Sequence, residues 1–376
     1  MPKQMTILTR PVSAVVIVAL AIPALARPAD TEPATSLTHG NTLWYTDGDG
    51  HQYAVKSPAD WEKRRAEILK NMQAVMGPVP DRSHLPPLDL KITATLQGAG
   101  YQRHTCSFEN LFDERVTAYL YVPAGMQPGE RRPGVLALHP TGADGKAIID
   151  GDRPDHPSLP YALELARRGY VVMAPDYPSF GEQKDYDFKK SRYSSGTMKA
   201  ISDNLRCIDL LLARDDVDPA KIACIGHSLG GHNALFTAAF DARVRVVVSS
   251  CGWTPFHAYL GGKTLINWAQ DRYMPLIRTR YDADPDRVPF DFPEVLAAIA
   301  PRAIYSNSPA RDDNFSVAGV RAAVPAVQSI YDLLGVPDRL VVRCPDYAHD
   351  FTEESRREAY EFIDKRLGYT PVTEVR

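Results

Sequence analysis

The sequence predicts an α/β protein: a mostly parallel central sheet with helices on both faces and a short helical cap insertion at about 255–283. Three observations carry that expectation. From Gly134 onward, short apolar runs alternate with helix-length stretches, the pattern of repeated strand–helix units. The runs are apolar throughout rather than at every second position, as strands covered on both faces must be. The chain has 376 residues, 44% hydrophobic and 24% charged, which supplies a core large enough for such a sheet. Forty-three basic against forty-six acidic residues give a formal charge of -3. That balance argues against a nucleic-acid binder or a polybasic membrane module.

The first 26 residues read as a signal peptide. Lys3 and Arg10 form a basic start, Ala14 to Ile22 is an unbroken apolar run, and Pro23 breaks it before Ala24-Leu25-Ala26, a small-x-small cleavage site. The run is shorter than the roughly 20 residues a membrane span needs. The mature product is expected to be exported, periplasmic or secreted, with no stable membrane association. Its five cysteines (Cys106, Cys207, Cys224, Cys251, Cys344) are odd in number and scattered, with no C-x-x-C pair or zinc spacing. They read as structural; neither a metal nor a cofactor is expected.

Residues 27–90 are expected to be an N-terminal arm and helix. The stretch 27–57 is polar and turn-rich. Trp61 to Met76 then places Ile68, Met72, Val75 and Met76 at helical spacing, and Gly77-Pro78 ends it. The main domain is expected over 91–370. Three strands open it, over Lys91–Leu96, Gln102–Phe108 and the cleanly alternating Arg115–Val122. Six short apolar strands follow, at Val135–Leu138, Tyr170–Ala174, Ile222–Ile225, Val244–Val248, Ala303–Ser306 and Leu340–Arg343. Helices are predicted over Tyr161–Arg168, Met198–Ala213, Gly231–Phe240, Val317–Leu334 and Glu353–Arg366.

Sheets of this kind place their chemistry at the carboxyl ends of the strands. After Ile222–Ile225 comes Gly226-His227-Ser228-Leu229-Gly230-Gly231, a G-x-S-x-G turn between a strand and a helix. The turn lifts the Ser228 hydroxyl above the sheet, and side chains at Gly226 and Gly230 would strike neighbouring backbone. A hydroxyl is a poor nucleophile at neutral pH and needs a base. His349 follows the last strand, in Tyr347-Ala348-His349-Asp350-Phe351, while His139 closes the first parallel strand and His227 points away from Ser228. The base needs an orienting carboxylate. Arg311-Asp312-Asp313-Asn314-Phe315 offers two, of which Asp312 is preferred and Asp313 is the alternative. The N–H of Leu229 and one from the loop after the first parallel strand, Thr141 or Gly142, would form the oxyanion hole.

These residues, in the order Ser228, acid, His349, resemble the α/β-hydrolase superfamily over about residues 90–370. Within it the chain resembles the dienelactone-hydrolase and acetyl-xylan-esterase branch of exported bacterial hydrolases. That branch carries Asp, two variable residues and Phe at the acid, matching Asp312 to Phe315. Dienelactone hydrolases proper use a Cys nucleophile where this chain has Ser228. The resemblance implies a serine hydrolase of carboxylic esters, with short-acyl and above all acetyl esters of carbohydrates as substrates. Trp253 and Trp268 are expected to wall the site, with Tyr177 at its rim. A prolyl-oligopeptidase-like peptidase shares the triad, but the stretch before the first strand is too short for its propeller. A non-catalytic binding protein on the same scaffold would be expected to lack a triad member. Asp47-Gly48-Asp49-Gly50 reads as a turn rather than a calcium loop.

Overall fold

The computed structural model describes residues 42–151 and 159–372. The expected signal peptide and the first part of the arm lie outside the described residues. The rest of the arm is not simply extended: β1 (Trp44–Thr46) and β2 (Gln52–Ala54) pair as an antiparallel hairpin. Asp47 makes its turn, accepting the N–H groups of Asp49 and His51 at 3.0 and 2.9 Å.

Helix α1 (Pro58–Met76) starts at Ser57, whose hydroxyl accepts the Asp60 N–H, and stops before Gly77 at φ 93°. Its stripe of Trp61, Ile68, Met72, Val75 and Met76 is buried in the main core, so this helix belongs to the same body as the sheet. The sheet strands are β3 (Lys91–Gly98), β4 (Tyr101–Glu109), β5 (Arg115–Pro123) and β6 (Arg132–Leu138). After α2 (Tyr161–Arg167) come β7 (Val171–Pro175), α3 (Gly196–Leu212), β8 (Val217–His227), α4 (Leu229–Phe240) and β9 (Val244–Ser250). Then follow α5 (Leu276–Thr279), α6 (Phe292–Ile299), β10 (Ala303–Asn307), α7 (Val317–Leu333), β11 (Leu340–Arg343) and α8 (Glu353–Leu367).

The nine strands lie in the order β11-β10-β9-β8-β6-β7-β5-β4-β3. Strands β6 to β11 are parallel, and β3, β4 and β5 extend one edge antiparallel. Strand alternation explains the continuous apolar runs. In β8, Ile222 and Cys224 face the core shared with α1, α3, α4, α6 and α7, while Ala223 and Ile225 face the one shared with α2 and α8. Leaving β6, the chain forms β7 on one side and then crosses back to place β8 on the other. The loops after β6 and β8 therefore diverge at a switch point, where such sheets open a crevice.

Two expectations need correction. The insertion at 255–283 is short but hardly helical: it holds one 3-10 turn at Phe256–Ala258 and the four-residue α5. Gly261 and Gly262 at φ 84° and 70°, with Pro275 behind them, keep it irregular. Helix α6 was missed, although Asp291 and Glu294 form a capping box that the sequence displays.

Candidate active site

Strand β8 ends at His227, and Ser228 takes φ 54° and ψ -119° before α4 begins at Leu229. A non-glycine residue in the left-handed half of the map is strained and must be held by its surroundings. The Ser228 N–H donates to the Ser250 carbonyl at 2.8 Å, tying the turn to the end of β9. A Cβ on Gly226 would fall inside 3 Å of the Gly230 backbone, and one on Gly230 inside 3 Å of the Leu138 carbonyl. Both glycines are thus fixed by close approach, as expected from the motif. Leu229 opens α4, whose first-turn N–H groups have no acceptor within the helix.

The loop after β10 brings Asp312 to His349. His349 Nδ1 lies 2.9 Å from Asp312 Oδ2, and the other carboxylate oxygen accepts the N–H groups of Asn314 and Phe315, each at 2.9 Å. Burial pushes the Asp312 carboxyl up, but the His349 and backbone hydrogen bonds outweigh it and hold the group below its ordinary range. Asp313 is exposed and makes no such pairing, so geometry separates the neighbours that spacing left open. The His349 ring stacks on Phe315 (5.9 Å between centroids) and leans on His227 at 4.9 Å. His227 Nδ1 sits 3.1 Å from Ser250 Oγ, and burial, then the neighbouring His349, push its ring down to about 3, so it is neutral. His139 is also neutral, pushed down to about 4 by burial; it lies against the Tyr177 ring and accepts the Tyr177 N–H at 3.3 Å.

Ser228, Leu229 and Thr141 line one cavity of about 170 Å³ with Phe315 and Asn314 of the acid loop and with Tyr259, Asn267, Trp268, Gln270 and Tyr273 of the insertion. None of these described residues carries a charge. Thr141 is on the wall; Gly142 lies beneath it, where a Cβ would meet Ile148. A backbone bridge from Tyr259 to Phe315 fastens the insertion to the acid loop. Trp268 is where the sequence placed it. Trp253 is not: it is 1% exposed and its Nε1 donates to Ser306 Oγ at 2.8 Å, so it is core beneath the site. Tyr177 is likewise buried, packed on His139 rather than standing at the rim. Asn267 and Gln270 were missed; their signal was the clustering of amides and aromatics around Trp268.

Behind the cavity Asp176, fully buried, accepts the backbone N–H of Lys146 at 2.9 Å and that of Glu182 at 3.2 Å, and pairs with the Lys146 ammonium. The Gly181 N–H donates to Ala143 at 2.9 Å. The loop after β6 is thereby clamped to the loop after β7. Cys251 Sγ, Asp312 and His349 present atoms within 4.8 Å of one another. Burial, then Asp312, push the Cys251 thiol well above its ordinary range, and it points at the Asp350 carbonyl at 3.3 Å. The trio is the Asp312–His349 pair with a buried thiol beside it.

A half-buried serine on a strained turn, a carboxylate–imidazole pair and a helix N-terminus are the parts of nucleophilic acyl transfer. The family model described as the alpha/beta hydrolase family matches residues 135–373. The chain belongs to that family. Among curated relatives of this hydrolase, the YtaP protein of Bacillus subtilis (strain 168) is 28% identical over 81% of this chain and 100% of its own. The 4-O-methyl-glucuronoyl methylesterase 1 of Wolfiporia cocos (strain MD-104) is 25% identical over 84% of this chain and 78% of its own. A solved glucuronoyl esterase from Solibacter usitatus superposes with a TM-score of 0.66 at 20% identity, over 88% of this hydrolase and 98% of that chain. It attests to the shared fold.

Proposed function

We propose that this hydrolase is exported and cleaves carboxylic esters of carbohydrates through Ser228, Asp312 and His349. The observation that carries the reading is that the Ser228 turn opens on an uncharged cavity walled by amides and aromatic rings, with Asn314 and Phe315 of the loop that holds the Asp312–His349 pair on the same wall. Ser228 Oγ attacks the ester carbonyl while His349 takes its proton through Nε2. Asp312 holds the Nδ1–H and stabilises the imidazolium. The N–H groups of Leu229 and of the Thr141–Gly142 loop receive the developing oxyanion. His349 then protonates the departing alkoxide, leaving an acyl-enzyme. Water, deprotonated by His349, attacks that acyl group, and Ser228 leaves with the proton back on Oγ.

Amide and aromatic side chains suit hydroxyl-rich rings, and the relatives include one named as an ester hydrolase of a sugar acid. The space next to Ser228, about 170 Å³, is below the roughly 300 Å³ at which drug-sized ligands are accommodated. That favours short acyl groups, acetyl among them. The test is turnover of p-nitrophenyl acetate against octanoate and against an anilide, then release of acid from acetylated and uronate-ester oligosaccharides. Acetate should lead octanoate and the anilide should be inert. Ser228→Ala should retain under about 1% of the wild-type rate with an unchanged melting temperature; a substantial residual rate would remove Ser228 from the mechanism.

A further inference from the structure

The far edge of the sheet, where the parallel strands begin, holds a second recess of about 480 Å³. It is opened by the starts of β9 and β10, the segment before β11 and the end of α8, so it lies at the opposite end of the strands from Ser228. Six of its ten lining residues are cationic: Lys221, Arg245, Arg302, Arg339, Lys365 and Arg366. None is acidic, in a chain whose formal charge is -3.

Little of that charge is neutralised. Arg302 spends its donors on the carbonyls of Ile299, Asp241 and Val244, and Arg339 on that of Pro301. Arg366 is matched by Asp338 at 2.8 Å, while Asp218 stands 3.8 Å from Lys221. Arg245 and Lys365 are exposed, and among the described residues their side chains have no hydrogen-bond or ion-pair partner. Burial, then Arg65 outside the recess, push the Arg302 guanidinium down to about 10, and Arg245 adds a smaller push in the same direction. Like charges gathered in a concave wall raise the local potential, and an anion that enters relieves their repulsion. Guanidinium forks match carboxylates in particular, two N–H groups to two oxygens. No exposed large hydrophobic side chain lines the recess, and a concave wall does not fit a flat lipid surface.

We infer that this recess binds a carboxylate-bearing oligosaccharide, anchoring an acidic polysaccharide on the side of the molecule away from the catalytic cavity. The glycan part of the assignment rests on the carbohydrate-ester reading; the cationic recess stands without it. An anchor there raises the local concentration of the polymer without occupying the cavity in which esters are cleaved.

The test uses the full chain in affinity electrophoresis through gels containing polygalacturonate or neutral xylan, with calorimetry on hexagalacturonate for Kd. Polygalacturonate should retard the protein and neutral xylan should not. Raising salt from about 50 to 500 mM should weaken binding at least fivefold, since exposed charges are screened over that range. Arg245→Ala combined with Lys365→Ala should raise Kd at least tenfold with an unchanged melting temperature, whereas Ser228→Ala should bind as wild type. Binding unchanged in the double variant overturns the assignment. So does binding confined to inorganic phosphate or to phosphatidylglycerol vesicles, or no anion binding at all. Wild-type turnover of p-nitrophenyl acetate is read on the same preparation: its absence would overturn the esterase reading and leave the binding result standing.

Discussion

At Asp312 and Asp313 two adjacent carboxylates differ by one peptide unit and by everything that matters chemically. Asp312 is buried, accepts two backbone N–H groups and meets His349 Nδ1 at 2.9 Å; Asp313 faces solvent. Asp312→Asn should therefore lower kcat by roughly 10²–10⁴-fold, because the amide no longer holds the imidazole in its working tautomer or balances the imidazolium. Asp313→Asn should change kcat by less than about threefold. Steady-state kinetics on p-nitrophenyl acetate measures both, and equal losses would refute the geometric distinction. The two tryptophans make a parallel contrast. Trp253→Phe leaves Ser306 without its indole donor and should cost about 1–3 kcal/mol of stability. It should leave KM for an acetylated oligosaccharide unchanged. Asn267→Ala, on the cavity wall, should raise that KM and leave stability almost untouched. Denaturant titration beside saturation kinetics separates the two roles.

At the scale of elements, the proposed catalytic parts come from the ends of strands, and the segments between those ends decide how well the parts meet. The loop after β6 carries Thr141 to the cavity but holds its place through Asp176, which closes β7 and grips the Lys146 backbone and side chain. Asp176→Asn preserves the shape of that contact while removing its charge. It should lower kcat by about 10²-fold with KM nearly constant, since an oxyanion donor displaced by about 1 Å loses most of its value in the transition state. A change confined to KM would assign the clamp to substrate binding instead. The insertion between β9 and α6 acts as a second wall, pinned to the acid loop by the Tyr259–Phe315 bridge. Its irregular backbone follows from Gly261, Gly262 and Pro275, and lets amide and aromatic side chains face one space.

At the scale of the molecule, three histidines among the described residues are buried neutral. Burial pushes His139 down to about 4, and His227 and His232 each to about 3. Their folded pKa values lie below the unfolded value of roughly 6.5, so the stabilisation is complete above that pH and is lost as pH falls toward 4. In that window the unfolded chain binds about three more protons, giving a loss of roughly 4 kcal/mol per pH unit. Urea unfolding between pH 7 and pH 4.5 should show this decline. His232→Phe should flatten it by about a third: the ring packs against Phe236 at 4.1 Å and Trp268 at 4.8 Å, and neither ring nitrogen has a hydrogen-bond partner among the described residues to lose. An unaltered slope in that variant would show that His232 is protonated in the folded protein.

The nine strands of the main sheet, six of the helices and the Ser228 turn were legible in the sequence because each is a local consequence of it. Apolar runs bounded by turn residues make strands wherever they lie in a covered sheet, and Gly226 and Gly230 permit a turn that no larger residue allows. His349 and the acid loop were legible by their order along the chain, since strand ends in this sheet converge on one edge. What distance along the chain does not encode was decided by tertiary packing. Asp312 was separated from Asp313 by which carboxylate the loop turned inward. Trp253 was consigned to the core and Trp268 to the cavity wall by how the segment after β9 packs. The six cations of the far recess come from five separated stretches of sequence and meet only when the strand starts are aligned. Burial and like-charge proximity depend on positions in space, and those exist only once the sheet has formed.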